Sequence, residues 1–108
     1  MKDDRVYLGH IRDAIHDIEA YTAGGRDAFM SDRMQQDAVI RKFEIIGEAV
    51  KHLSEETTKR RPDILWKRIA GMRNRLTHDY LGVDLALVRT TVERDVPRLR
   101  SAVDALLT

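Results

Sequence analysis

Residues 73–80 read Arg73-Asn74-Arg75-Leu76-Thr77-His78-Asp79-Tyr80. Placed on a helix at 100° per residue, Leu65, Trp66, Ile69, Ala70, Met72 and Leu76 upstream and within this stretch fall on one arc, so the spacing predicts a helix with one buried face. Arg73 and Tyr80 land in the middle of that arc. A guanidinium on an apolar face is costly unless it is paired. His78 falls on the other side of the wheel, near Asn74. A straight helix therefore does not bring Arg73 and His78 of one chain to one point. Either the helix ends near His78 or a second chain completes the site. Taken singly, each residue has an ordinary structural explanation, with Arg73 in an interface ion pair and His78 capping a helix.

Working outward, the chain divides at glycines and capping residues. Asp3 and Asp4 are candidate N-caps for a first helix, whose stripe Tyr7, Leu8, Ile11, Ala14, Ile15, Ile18 and Tyr21 runs to Gly24-Gly25. His10 and His16 lie mainly off that stripe and lack the i,i+4 spacing of a helical metal site, so they read as surface residues. After a loop with Phe29-Met30, Ser31-Asp32 starts a second helix with Met34, Ala38, Val39, Phe43, Ile46, Val50 and Leu53 on a wide apolar arc. Gly47 within it costs about 1 kcal/mol relative to alanine, which points to a close helix crossing. Glu48 lies off the arc with Arg41 and Glu44, as a solvated charge or the partner of an active-site base.

The polar run from Ser54 to Arg61 reads as a frayed end and a connection, and Pro62-Asp63 as the start of the third helix. Arg68 and Arg75, seven apart, share a face of it and are candidate phosphate contacts. Gly82 ends that helix, and Asp84 caps a fourth with Val88, Val92, Leu99, Val103 and Leu106 buried and a kink at Pro97. The expected fold is all-α, an antiparallel four-helix bundle with a kinked last helix, in one domain spanning residues 1–108.

At 108 residues the chain can bury one modest core, and a second copy would help it. A net charge of +1 gives no global basic signature, so nucleic-acid binding has to come from a local patch. With no cysteine, disulfides and cysteine-based chemistry are excluded. No apolar stretch approaches the roughly 20 residues that span a bilayer, and a soluble, cytoplasmic protein without a membrane anchor is expected.

The arginine, the histidine five residues further on and the tyrosine two beyond it resemble the R-x4-H-x-Y signature of the HEPN superfamily, and more narrowly of the HepT family of small ribonuclease toxins. Trp66, Gly71-Met72-Arg73-Asn74, Ile45-Ile46-Gly47-Glu48-Ala49 with Leu53-Ser54, and Asp95-Val96-Pro97-Arg98-Leu99 are similar to that family's pattern in the same order. The resemblance implies a homodimer with both motifs in one shared cleft, and a metal-independent endoribonuclease that needs no cofactor. It also implies a minimal nucleotidyltransferase antitoxin that silences the toxin by attaching AMP to the tyrosine matching Tyr80, as in a type VII-like toxin–antitoxin pair.

The residue chemistry is compatible with that activity. RNA cleavage needs a base for the 2′-hydroxyl proton, an acid for the leaving 5′-oxygen and positive charge on the pentacoordinate phosphate. His78 can move the proton, since an unperturbed imidazole titrates near ~6.5. Arg73 can supply a bidentate cation. Asn74, four residues before His78, is placed to orient the imidazole or to bind phosphate, and Tyr80 to stack on a base or hydrogen-bond phosphate. Two proton transfers and one histidine per motif leave a gap that a two-fold dimer fills. The RNA partner, tRNA or mRNA, is left open. The alternative is a non-catalytic HEPN subunit that binds nucleotide or a partner.

Overall fold

The computed structural model describes residues 2–78 and 82–108, with backbone alone for residues 2, 3, 77 and 78. Helix α1 (Lys2–Tyr21), the short α2 (Arg26–Met30), α3 (Arg33–Lys51), the short α4 (Glu55–Lys59), α5 (Trp66–Ala70), α6 (Met72–Leu76) and α7 (Leu85–Leu107) account for most of it. Strands β1 (Thr77–His78) and β2 (Gly82–Val83) pair antiparallel, with Thr77 opposite Val83 and His78 opposite Gly82. Among the described residues the fold is thus helical apart from one two-rung ladder.

Helix α1 packs against α3 and α7, and α3 carries α5 and α6 on its other side. The expected stripe of α1 is buried from Leu8 through Ile18, and that of α7 at Val88, Val92, Leu99, Val103 and Leu106. Pro97 sits inside an uninterrupted α7. Its ring removes one backbone donor from the helix. The α3 stripe is buried at Val39, Phe43, Ile46 and Val50, but Met34 at its start is 78% exposed. Asp32 caps α3 by accepting from the Gln35 N–H, and Asp84 caps α7 by accepting from the Leu87 N–H, as their positions predict.

Asp3 and Asp4 do not cap α1, which already includes both. Asp4 is instead buried and accepts hydrogen bonds from the Ser54 N–H (3.2 Å), the Ser54 hydroxyl (2.5 Å) and the Thr57 hydroxyl. Ser54 in turn caps α4, so the polar run read as a frayed connection is an ordered turn of helix stapled to α1. Burial pushes the Asp4 carboxyl up, but these hydrogen bonds outweigh it and hold the group below the ordinary carboxylate value of 3.8. A depressed carboxylate contributes stability that is present above its unfolded pKa and lost as pH falls through the folded value. Asp4→Asn should therefore cost on the order of 2 kcal/mol at pH 7 and flatten the loss of stability below about pH 4. Urea melts of both proteins from pH 7 to pH 3 test this, and parallel curves would refute it.

The expected third helix differs most. Its start at Pro62-Asp63 is a turn, in which Arg61 donates to the Asp63 carboxylate at 2.9 and 2.8 Å and the Trp66 indole donates to the Arg61 carbonyl at 3.1 Å. Asp63 is engaged by that guanidinium and does not serve as a cap. The helix proper begins at Trp66, breaks at Gly71 and stops at Leu76, six residues before Gly82. Leu65 therefore leaves the apolar arc and is 62% exposed. Gly47 shows why α5 lies so close to α3: a Cβ there would sit 3.0 Å from the Ala70 carbonyl oxygen and 3.4 Å from that of Ile69. Gly47→Leu gains about 1 kcal/mol of helix propensity but overpacks a backbone contact, at a cost of about 1–3 kcal/mol or more. A lower denaturation midpoint is expected, and an unchanged or raised one would show that α5 yields freely.

Candidate active site

The break at Gly71 sets where the motif side chains emerge. Helix α5 buries Trp66 and Ile69 and α6 buries Met72 and Leu76, so both short helices are anchored on the core side. Arg73, expected within the apolar arc, stands at its edge, on the seam between α6 and α3, and its side chain is 57% exposed. Its Nε lies 2.5 Å from the Glu44 carboxylate of α3. Glu44 also pairs with Arg41 at 3.6 Å, and Glu48 pairs with Lys51 at 3.2 Å. These groups line a cleft of about 390 Å³ between α3 and the α5–α6 junction, into which Arg73 and Asn74 both face. Its walls therefore carry three cationic side chains and two carboxylates, each carboxylate matched to a cation.

His78 does not lie one helical turn after Asn74. The helix ends at Leu76, and the His78 backbone belongs to β1, paired with Gly82 across a hairpin. Two features force this turn: Gly82 adopts φ +84°, a left-handed conformation that glycine takes without strain, and the Asp84 N–H donates to the Leu76 carbonyl at 2.9 Å, closing the end of α6. Of the two geometries the sequence left open, the helix ends before the histidine. The Tyr80 position lies outside the described residues, as does the His78 side chain.

Arg68 and Arg75 do share a face, as their spacing predicts, but it is not the Arg73 face. They line a separate concavity with Asp63, Asp95, Arg98 and an apolar floor of Ile64, Ile69 and Met72. One Arg75 terminal nitrogen is buried there without a hydrogen-bond partner among the described residues. The motif arginines thus serve two surfaces, with Arg73 and Asn74 on one and Arg68 and Arg75 on the other. Glu48, read as either a solvated charge or a site group, is exposed and lines the Arg73 cleft. Glu44 was the residue that sequence reasoning missed. Its signal was available, since it shares the polar face of α3 with Arg41 and Glu48, but no spacing rule ties that face to Arg73.

Among the described residues no helix is long and apolar enough to cross a membrane, and no group of three histidine or acidic side chains is placed to hold a metal.

A family model described as HepT-like, Ribonuclease HepT-like, matches residues 11–106. A Thermococcus cleftensis protein named "Probable ribonuclease HepT" is 40% identical over 101 residues, 93% of this chain and 92% of its own length. A Methanocaldococcus jannaschii protein named "Gamma-glutamylcyclotransferase and putative RNase" is 44% identical over 103 residues, and the chain spans 46% of that protein's length. A Caldanaerobacter subterraneus protein named "Putative RNase" is 37% identical over 108 residues, 96% of its length. No solved structure matches the chain.

Proposed function

Because the chain belongs to the HepT-like ribonuclease family, we propose that it is a single HEPN domain over residues 1–108 acting as a metal-independent endoribonuclease toxin. Its substrate is RNA. The observation that carries the reading is the placement of Arg73 and Asn74 together on a solvent-open cleft, with the chain turning back through His78 immediately after α6.

In the proposed reaction His78 accepts the 2′-hydroxyl proton, and the 2′-oxygen attacks the adjacent phosphorus in line. The P–O5′ bond then breaks, leaving a 2′,3′-cyclic phosphate and a 5′-hydroxyl whose proton comes from a protonated imidazole. One imidazole cannot hold both protonation states at once, so the second is supplied by His78 of the other copy in a two-fold homodimer. Arg73 moves from the Glu44 carboxylate to the phosphate, where a bidentate guanidinium matches the charge that builds on the equatorial oxygens. The pair it leaves is more than half exposed on the arginine side and weak enough to be exchanged. Asn74 is a phosphate ligand in this scheme and not an orienter of His78, because the helix that would align the two has ended. Arg68 and Arg75 contact phosphates farther along the strand. Tyr80 is the residue that a minimal nucleotidyltransferase antitoxin modifies with AMP, and the toxin acts in the cytoplasm.

The Glu44 ion pair also favours a second reading, in which Arg73 is structural and the chain binds a nucleotide or partner without turnover. Incubating the purified protein with total tRNA and with mixed RNA in EDTA, with its mass recorded, separates the two. Cutting is expected. Intact RNA beside an unmodified mass would move the binding reading ahead.

A further inference from the structure

We propose that the groove beside the Arg73 cleft is a stacking subsite for a base of single-stranded RNA next to the scissile phosphate, an assignment that rests on the ribonuclease reading. Tyr7 of α1 and His52 at the end of α3 stack with ring centroids 4.6 Å apart and planes 10° from parallel, and His10 meets the Tyr7 ring edge-on at 6.0 Å. Both imidazoles are exposed while Tyr7 is half-buried, so the tyrosine forms the floor and the histidines offer free surface. These three rings line a groove of about 260 Å³ with Arg41, Glu44 and Glu48. The last three also line the Arg73 cleft, so the two concavities are continuous along one face of α3.

The bland account is that the rings clip α1 to α3. The seam between those helices is already filled by Ile11, Ile15, Ile18, Val39, Phe43 and Ile46, all buried, and an exposed stack adds little to it. The chemistry on display suits a nucleotide better. Planar π faces take any base, and histidine is among the side chains on which unstacked RNA bases lie. Arg41 lines both concavities, so a strand running from the cleft into the groove can meet it with its next phosphate. The two carboxylates do not make this face anionic, because Arg41, Lys51 and Arg73 outnumber Glu44 and Glu48 along it.

The test uses the full chain, an uncleavable 2′-O-methyl RNA oligonucleotide followed by fluorescence anisotropy, and steady-state cleavage of the matching unmodified RNA. His52→Ala is expected to weaken oligonucleotide binding about tenfold and to raise KM with kcat unchanged, with Tyr7→Phe near wild type and Tyr7→Ala impaired like His52→Ala. His52 is exposed, so its loss leaves the fold intact and the result readable even if Tyr7→Ala unfolds. Affinity and KM within twofold of wild type for His52→Ala would overturn the subsite while leaving the ribonuclease standing. His52-dependent binding by a protein that cuts no RNA would defeat the ribonuclease and, with it, the placement beside a scissile phosphate, leaving the groove an RNA-binding surface only. Loss of the dimer in sedimentation on His52→Ala would show that a second copy, and not RNA, covers these rings, and it too overturns the proposal.

Discussion

Arg73→Ala and His78→Ala are each expected to lower RNA cleavage by on the order of 10²-fold or more while leaving the protein folded. The separation of the two effects is what makes the test informative. Arg73 is 57% exposed and its partner Glu44 is 29% exposed, a setting in which an ion pair contributes about 1 kcal/mol or less to stability. Removal of a donor that meets charge only in the transition state costs about 3–4 kcal/mol in the rate. A melt that shifts by a few degrees at most beside a hundredfold loss of kcat thus assigns Arg73 to the reaction. A melt that collapses, or a dimer that dissociates, assigns it to the architecture instead. Arg73→Lys refines the point, because lysine keeps the charge but not the two-pronged geometry and should recover only part of the rate. For His78→Ala the discriminating readout is the pH profile of residual cleavage. Loss of the imidazole should flatten the limb governed by its titration, whereas a role limited to folding would lower activity at every pH by the same factor.

The long helices were legible because each is amphipathic over five or six turns. The stripes of α1 and α7 reappear almost residue for residue as the core, and the caps at Asp32 and Asp84 lie where their positions in the sequence put them. The region from Ser54 to Val83 was not, and the reasons are local. A wheel drawn from Leu65 to Tyr80 assumes one unbroken helix, and Gly71 interrupts it while Gly82 turns the chain back. Asp4 and Asp63 both look like caps in the sequence, yet each is engaged by partners out of view: Asp4 by Ser54 and Thr57 fifty residues on, Asp63 by the side chain of Arg61. The candidate site divides in the same way. Its residue types and the shared face of Arg68 and Arg75 follow from spacing alone. That this face is distinct from the Arg73 cleft, and that Glu44 stands opposite Arg73, depends on how closely Gly47 lets α5 approach α3.

The largest effect on stability is expected from Phe29→Ala, at a residue that reads in the sequence as part of a loop. Phe29 is fully buried in the five-residue α2, where it plugs the space between α3 and α7. Such a short helix has almost no intrinsic stability, since nucleation alone is unfavourable, so α2 exists because of the ring it buries. The segment is fixed from outside as well: the Gln36 side chain donates to the Phe29 carbonyl at 2.9 Å, and the buried Arg89 guanidinium lies 5.9 Å from the ring centroid. Arg89 is held by Glu93 at 3.1 Å, which also pairs with Arg26 of α2 at 3.4 Å, so one carboxylate ties the two arginines that bracket the phenylalanine. Removing the ring forfeits about 3–5 kcal/mol of burial and leaves a cavity beside a guanidinium that has lost its aromatic neighbour. Against a total stability of about 5–15 kcal/mol that is a fifth of the reserve or more, and a domain of this size should melt more than about 10 °C lower. Circular dichroism melts of wild type and variant decide it. A shift under about 3 °C would mean that α2 folds back over the gap and that Phe29 is packing on the molecule without organising it.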